Sequence, residues 1–300
     1  MEKTLLSVVG PTAIGKTKFA IELAQHYDTE IISADSRQFY KEMEIGTAVP
    51  DAVELGLAKH HFIQHKSIFE PYSVGDFERD ALELLKYLFK KKDIVIMVGG
   101  SGLYVNSVKN GLDNFPKIDS EIRERLNEKL KSEGLTVLQE ELKQKDLAYH
   151  KIVDLNNPHR VIRALEVCIG TGKPYSSFLS QKRKNREFRT FTIGLEADRK
   201  LVYHRIEKRV DKMIEKGLVE ESKNLEKYKE LNALQTVGYK ELFSYFEGNH
   251  SLDFAISEIK KNTRRFAKRQ ITWFKKDKDI FWISHDTPLK TILPQLNQKL

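Results

Sequence analysis

Gly10-Pro11-Thr12-Ala13-Ile14-Gly15-Lys16-Thr17 sets two glycines, a lysine and a hydroxyl at the spacing of a P-loop. Such a stretch can cradle phosphate. The glycines let backbone N–H groups turn inward around anionic oxygens, Lys16 supplies a charge, and the Thr17 hydroxyl can hold Mg²⁺ at the start of a helix. The pattern leaves open whose phosphates these are, a nucleotide being the usual occupant. A phosphoryl-transfer enzyme also needs a carboxylate for the metal, normally at the end of a neighbouring strand. Here the apolar run 94–98 ends instead in Gly99-Gly100-Ser101-Gly102. The available acid is Asp35, within Ser33-Ala34-Asp35-Ser36-Arg37-Gln38. It reads either as a cap for the short segment that follows or as a metal partner or general base facing the phosphates.

The elements that must position these residues alternate between strand and helix. Apolar runs over 5–9, 30–34, 93–98 and 190–195 predict parallel strands that open into loops at their carboxyl ends. Helical spacing recurs over 18–27, through Phe19, Ala20, Leu23 and Ala24, and over 77–89, through Phe77, Ala81, Leu84, Leu85 and Leu88. The order predicts an α/β fold, a P-loop NTPase-like doubly wound parallel sheet with a helical insertion domain. Ligands of such sheets bind beyond the strands' carboxyl ends, so Gly10, Asp35 and Gly99 are expected to face one crevice.

The insertion interrupts the core over 116–187. Asp119 predicts the N-cap of a helix with Ile122, Leu126 and Leu130 on one stripe, and Asn157-Pro158 the start of another running to Ile169. The expected organisation is a first core part over 1–115, the insertion over 116–187, and a second core part over 188–300 with C-terminal basic helices. Lys182-Arg183-Lys184-Asn185-Arg186 leads back to the sheet, beyond which the chain reads as mostly helical. Asp198 caps one helix, ended by Gly217. In another, over 255–274, Ile256, Ile259, Phe266, Gln270, Trp273 and Phe274 fall on one arc and Lys260, Lys261, Arg264, Arg265, Lys268 and Arg269 on the opposite one. That face carries six cations and no acid, a solvated surface or a polyanion-binding face.

Composition bounds the classes. Across 300 residues, 51 Lys+Arg against 43 Asp+Glu give a net charge of +8, which favours a polyanionic partner or simply solubility. The single cysteine, Cys168, excludes an internal disulfide framework and a zinc site built from cysteines. A cytoplasmic setting follows, with no signal peptide expected before the first strand and no apolar run approaching a membrane span. Adjacent His60 and His61 do not share a face and have no neighbouring acid cluster, so packing is their expected role.

Taken together, these blocks resemble the tRNA dimethylallyltransferase (isopentenyltransferase) family over nearly the whole chain. The loop from Gly10 to Thr17 and Ser33 to Gln38 are similar to that family's motifs. So are His60-His61, Tyr72-Ser73-Val74, Gly99-Gly100-Ser101-Gly102-Leu103-Tyr104, Asn157 to Glu166, Arg205-Ile206-Glu207-Lys208-Arg209, Val237-Gly238-Tyr239-Lys240 and Ala267 to Phe274. Ser101 stands in place of threonine, keeping the hydroxyl, and His159 in place of glutamine or arginine.

The resemblance implies that the cradle of Gly10, Pro11, Thr12, Ala13, Ile14, Gly15, Lys16 and Thr17 binds the diphosphate of dimethylallyl diphosphate with Mg²⁺ on Thr17. The acceptor it implies is N6 of the tRNA adenosine just 3′ of the anticodon. Asp35 becomes the general base; Lys16 and Arg209, with Arg205 as runner-up, stabilise the departing diphosphate. Either arginine, without the resemblance, reads as an ordinary surface ion pair. Thr12 hydrogen-bonds the amine or the diphosphate, or caps the turn. The tRNA contacts implied are Asp35, Ser36, Arg37, Gln38, Ser101, Arg123, His159, Arg160, Val161, Ile162, Arg163, Gln235, Thr236, Val237, Gly238, Tyr239 and Lys240. Arg160 and Arg163 lie at i,i+3 and suit two phosphates, or pair with an acid such as Glu166. The expected partners are the anticodon stem-loop of tRNA and dimethylallyl diphosphate, with no membrane and a monomeric chain. Two other readings stand beside this one, a P-loop kinase of a small metabolite and an isopentenyltransferase acting on free adenine nucleotides. A non-catalytic RNA-binding module would leave the loop, Asp35 and Arg209 without a role.

Overall fold

The computed structural model describes residues 2–179 and 185–299. The backbone divides into two compact units, one of residues 1–110 and 185–300 and the other of residues 111–184. Lys182, Arg183 and Lys184 of the basic stretch lie outside the described residues.

Among the described residues of the first unit, six strands form one sheet: β1 Thr4–Val9, β2 Ile31–Ser33, β3 His60–His61, β4 Ile94–Val98, β5 Arg189–Glu196 and β6 Phe281–Ser284. Their order is β3-β2-β4-β1-β5-β6, and every neighbouring pair runs parallel. β1 is wholly buried because it is covered on both faces. Leu5 and Val9 join one core with Phe77, Ala81, Leu85 and Val105. Leu6 and Val8 join another with Phe19, Ala20, Leu23 and Ile206. Period-two alternation thus feeds two helical layers, which defines the doubly wound α/β sheet.

β3 and β6 were not expected. Both are short edge strands, two and four residues long, and neither is long enough to show a period. His60 and His61 are half-buried on that edge, His60 Nδ1 lying 2.8 Å from Ala58 O and His61 Nε2 2.6 Å from Glu30 Oε2.

The chain changes direction around β1, whose neighbours are β4 on one side and β5 on the other. The loops after β1, β2 and β4 therefore open at one topological switch point. Three helices carry the side chains that meet there: Lys16–His26, Arg199–Glu215 and Leu252–Phe274. Asp198 caps the second, accepting from Lys200 N, and Ser251 caps the third, accepting from Phe254 N.

The second unit is helical. Asp119 caps Ser120–Glu133 and Asn157 caps Pro158–Thr171, each side chain accepting a first-turn N–H. Leu126, Leu138, Leu142, Val161, Ile162, Ala164 and Leu165 form its core. The unit starts at Gly111 and ends at Lys184, rather than spanning 116–187. Arg186 explains the later boundary: its guanidinium donates to Ser107 O, Val108 O and Glu78 Oε1, so the residues just before β5 belong to the sheet.

Candidate active site

The phosphate loop leaves β1 through Gly10 at φ 144°, where a Cβ would lie 2.7 Å from Leu195 O. Ala13 and Gly15 also have positive φ, 62° and 108°. Lys16–His26 then begins without a side-chain cap, so its first N–H groups are turned toward the loop rather than satisfied by a neighbour. Lys16 Nζ donates to Pro11 O at 2.8 Å. The Thr17 hydroxyl follows on the first turn, partly exposed.

Arg209 comes to this loop from the Arg199–Glu215 helix. Its guanidinium lies 3.3 Å from Thr12 Oγ1 and 3.5 Å from Thr47 O. Arg205, one turn earlier, donates to Ile14 O at 3.0 Å. Both arginines address the loop, so neither is the surface ion pair that the sequence left open. Burial lowers the Lys16 pKa from 10.5 to about 8, against the pull of the Asp35 carboxylate, with Arg209 adding to the depression. Burial lowers Arg209 as well, and Asp35 opposes this. Two partly buried cations share one carboxylate at a distance, and among the described residues neither makes an ion pair with an acid.

Asp35 stands just beyond β2. Its Oδ1 accepts from Arg37 N at 3.2 Å, an Asx-turn that satisfies the capping reading, while the carboxylate also lines the cavity that the general-base reading requires. Across from it, Ser101 Oγ accepts from Ser36 N and lies 3.2 Å from Ser36 Oγ. The cavity, about 610 Å³, is lined by Thr12, Asp35, Thr47, Ser101 and Arg209 on its polar side and by Ile206, Val210, Met213, Leu218, Ile259, Phe266 and Trp273 on its apolar side. An apolar wall in one cavity with the Arg209 guanidinium and the edge of the phosphate loop suits an amphipathic anion, one end hydrocarbon and the other highly charged.

Other expected contacts divide into those that face this cavity and those that do not. Ser36, Arg37, Gln235, Thr236, Val237, Gly238 and Lys240 line it. Arg37, however, commits its guanidinium to Asn232 O and Ala233 O. Gln38 is a strut, its Nε2 donating to Thr47 O and Ala48 O. Tyr239 is fully buried and donates to Glu221 at 2.6 Å, so its side chain is no RNA contact. In the second unit, Val161 and Ile162 are core residues whose side chains are likewise unavailable. Their place on the inward stripe of an amphipathic helix explains this. His159 and Arg160 are exposed. Arg163 donates to Glu166 at 2.9 Å, so the acid-pairing alternative holds for it, and Arg123 lies 3.5 Å from the same buried carboxylate, while no such pair forms at Arg160 among the described residues.

The basic face of the Leu252–Phe274 helix is also divided. Lys260 pairs with Asp211 at 2.5 Å, Arg264 with Glu207 at 2.8 Å, and Lys261 with Glu258, so its first half is satisfied within the fold. The sequence could not reveal this, because Asp211 and Glu207 lie on another helix. Phe266 and Trp273, on the arc opposite the cations, are 39% and 37% exposed and line the cavity beside Arg269.

Gln270 was not expected in the site. It is buried, accepts from Thr12 N at 2.8 Å and donates to Gly100 O at 3.0 Å, clamping the phosphate loop to the end of β4. A Cβ on Gly99, the residue after β4, would lie 2.6 Å from Ala34 O, and one on Gly100 would lie 2.2 Å from Gln270 Nε2, so both glycines let neighbouring groups approach closely. The signal for Gln270 in the sequence was an amide on an otherwise apolar arc.

Fold and site together define a P-loop-like α/β protein whose phosphate loop, two cations and one carboxylate gather beyond the carboxyl ends of its strands. An IPP transferase family model matches residues 38–277. The chain is 59% identical to a tRNA dimethylallyltransferase of Christiangramia forsetii over 300 residues, covering 100% of this chain and 99% of that one. It is 53% identical to a tRNA dimethylallyltransferase of Flavobacterium johnsoniae, covering 99% and 98%. Among solved structures, the full-length tRNA isopentenylpyrophosphate transferase of Bacillus halodurans superposes with a TM-score of 0.71 at 36% identity, covering 99% of this chain and 95% of that one. A eukaryotic dimethylallyltransferase acting on tRNA gives 0.78 at 26% identity, covering 99% and 77%. The chain belongs to the IPP transferase family, whose curated relatives here carry the name tRNA dimethylallyltransferase.

Proposed function

We propose that this chain transfers the dimethylallyl group of dimethylallyl diphosphate to N6 of the tRNA adenosine immediately 3′ of the anticodon, position 37, and releases diphosphate. The observation that carries this reading is the pair Lys16 and Arg209, each desolvated without an ion-pair partner among the described residues and both against the phosphate loop, with Arg209 also lining the cavity that carries the apolar wall. Buried cations are costly unless an anion completes them. A diphosphate would do so, and the five-carbon group would lie along Ile206, Val210 and Met213.

N6 attacks the allylic carbon, the C–O bond breaks with its electron pair passing to the diphosphate oxygen, and Asp35 takes the proton from nitrogen. An exocyclic adenine amine is a weak nucleophile because its lone pair is delocalised, so removing that proton as the bond forms is useful. Loop N–H groups, Lys16 and Arg209 stabilise the charge that develops on the leaving oxygen. The Thr12 hydroxyl, beside Arg209, orients the incoming amine or the diphosphate.

Mg²⁺ fits the donor set. Among the described residues no group of three His, Cys, Asp or Glu side chains could cage a metal, so the ion would take the Thr17 hydroxyl, diphosphate oxygens and water, as Mg²⁺ commonly does. It would neutralise charge on the diphosphate. For the RNA, the adenine must leave its stack to reach the cavity. Ser36, Ser101, Gln235, Thr236, Val237, Gly238 and Lys240 are the groups offered to it there, and the exposed His159 and Arg160 of the helical unit are offered to the anticodon stem-loop, with Arg163 and Arg123 held on Glu166.

The test compares acceptors. With dimethylallyl diphosphate and Mg²⁺, an unmodified anticodon stem-loop is prenylated and AMP is not. Prenylation of AMP at equal or greater efficiency would reassign the protein to free nucleotides.

A further inference from the structure

One carboxylate on the Leu218–Leu225 helix gathers hydrogen bonds from distant parts of the chain. Glu221 Oε2 accepts from Glu44 N at 3.1 Å and Ile45 N at 2.8 Å, while Oε1 accepts from Gly46 N at 2.9 Å and from the Tyr239 hydroxyl at 2.6 Å. Three successive N–H groups aimed at one point form an anion nest, and here the protein supplies the anion itself. The fit is close, since a Cβ on Gly46 would lie 2.6 Å from the buried Tyr239 ring.

The next residue connects this knot to the site. Thr47 O accepts from Gln38 Nε2 at 3.2 Å and lies 3.5 Å from the Arg209 guanidinium, which meets Thr12 Oγ1 on its other side. The turn lies outside any helix or strand, and the bonds to Glu221 tie its three N–H groups down while Gln38 Nε2 on Thr47 O and Ala48 O and the Thr47 hydroxyl on Met43 O hold its far end. Gly238 and Lys240, which flank Tyr239, also line the cavity.

We propose that Glu221, seconded by Tyr239, is a positioning residue. It holds the 44–47 turn so that the Thr47 carbonyl sets Arg209 against the phosphate loop. Glu221 touches no reacting group. Its charge-assisted bonds are the strong kind, and removing the charge leaves N–H donors facing a neutral amide. The inference rests on the assignment of Arg209 to the diphosphate.

The test is a double-variant cycle read by inorganic diphosphate affinity, by kinetics with dimethylallyl diphosphate and tRNA, and by thermal melting. Glu221→Gln should lower kcat/KM for the donor about 10²-fold, the size expected from a misplacement near 1 Å, and Tyr239→Phe about 10-fold, with the KM for tRNA little changed. In the Arg209→Gln background, Glu221→Gln should cost no further diphosphate affinity, because both changes disable one contact. Losses that multiply instead would make Glu221 a packing residue only and overturn the proposal. If Glu221→Gln does not fold, Tyr239→Phe decides, since it keeps the three N–H bonds. An affinity loss that vanishes beside Arg209→Gln supports the proposal, and wild-type affinity overturns it. A wild-type enzyme that binds diphosphate yet prenylates no tRNA would sink the functional reading while leaving this cycle to judge Glu221.

Discussion

Cations on the Arg199–Glu215 and Leu252–Phe274 helices meet two different fates. Arg264 and Lys260 find Glu207 and Asp211 within reach and are neutralised on the spot. Arg209, on the same helix as those acids, turns the other way and, among the described residues, meets hydroxyl and carbonyl oxygen rather than an acid, as does the neighbouring Lys16 with Pro11 O. The difference teaches that a cation's environment, rather than its presence, marks function. Paired cations on a surface contribute about 0–1 kcal/mol to stability, whereas cations left unpaired under burial are held for something that arrives.

The sharpest way to break this comparison is to remove the group opposite the cations. Asp35→Ala is expected to cut turnover by roughly 10²-fold or more while tRNA binding is kept, as for loss of a general base. Single-turnover kinetics check it, and near-normal turnover would leave Asp35 with only its turn. Arg209→Gln should come next, lowering kcat/KM for the donor by about 10²-fold as a leaving-group stabiliser. Arg264→Gln, one helix away, should leave kcat/KM unchanged and lower stability by less than about 1 kcal/mol.

Acidity sharpens the contrast further. Lys16 holds its proton only below about pH 8, so affinity for diphosphate should fall as pH rises through that value, and Lys16→Arg should remove the fall. The folded-state pKa is depressed, so the unfolded chain binds the proton more tightly between pH 8 and 10.5. The charged lysine therefore destabilises the empty protein most below pH 8, and Lys16→Met should raise the melting temperature at pH 7. An unchanged or lower melting point would mean the lysine is solvated.

The smallest effect concerns RNA. Lys268 and Arg269, on the later half of the long helix and without an acidic partner among the described residues, should each contribute to the salt dependence of tRNA binding. Reversing both charges should flatten the slope by about 1.5 if each meets one phosphate, and Arg264→Glu should flatten it less. Equal flattening would erase the distinction between paired and unpaired halves.

Most of the sheet was legible because β1, β2 and β4 are buried runs that lead into glycine or aspartate and β5 carries a buried stretch, Thr192 to Leu195, and helix caps such as Asp119, Asn157 and Asp198 announce themselves locally. Edge strands β3 and β6 were not, being too short and too exposed for a period to form. The phosphate loop and Asp35 were legible for a like reason, since loop chemistry is written in consecutive residues. Pairings across elements were hidden. Nothing near Arg264 or Lys260 in sequence discloses Glu207 or Asp211, and nothing near Gly46 discloses Glu221. Tyr239, Val161 and Ile162 sit inside motifs that resemble RNA-contacting blocks, yet they serve packing, because a motif records a segment and burial selects single side chains within it.

The central claim is that the unpaired cations of the crevice hold the leaving group of an alkyl transfer to RNA. Mass spectrometry of nucleosides after incubation with dimethylallyl diphosphate, Mg²⁺ and unmodified tRNA tests it most directly. N6-dimethylallyladenosine should appear with wild type and be lost with both Asp35→Ala and Arg209→Gln. Unmodified adenosine, together with transfer of the γ-phosphate of ATP to a small acceptor, would contradict it.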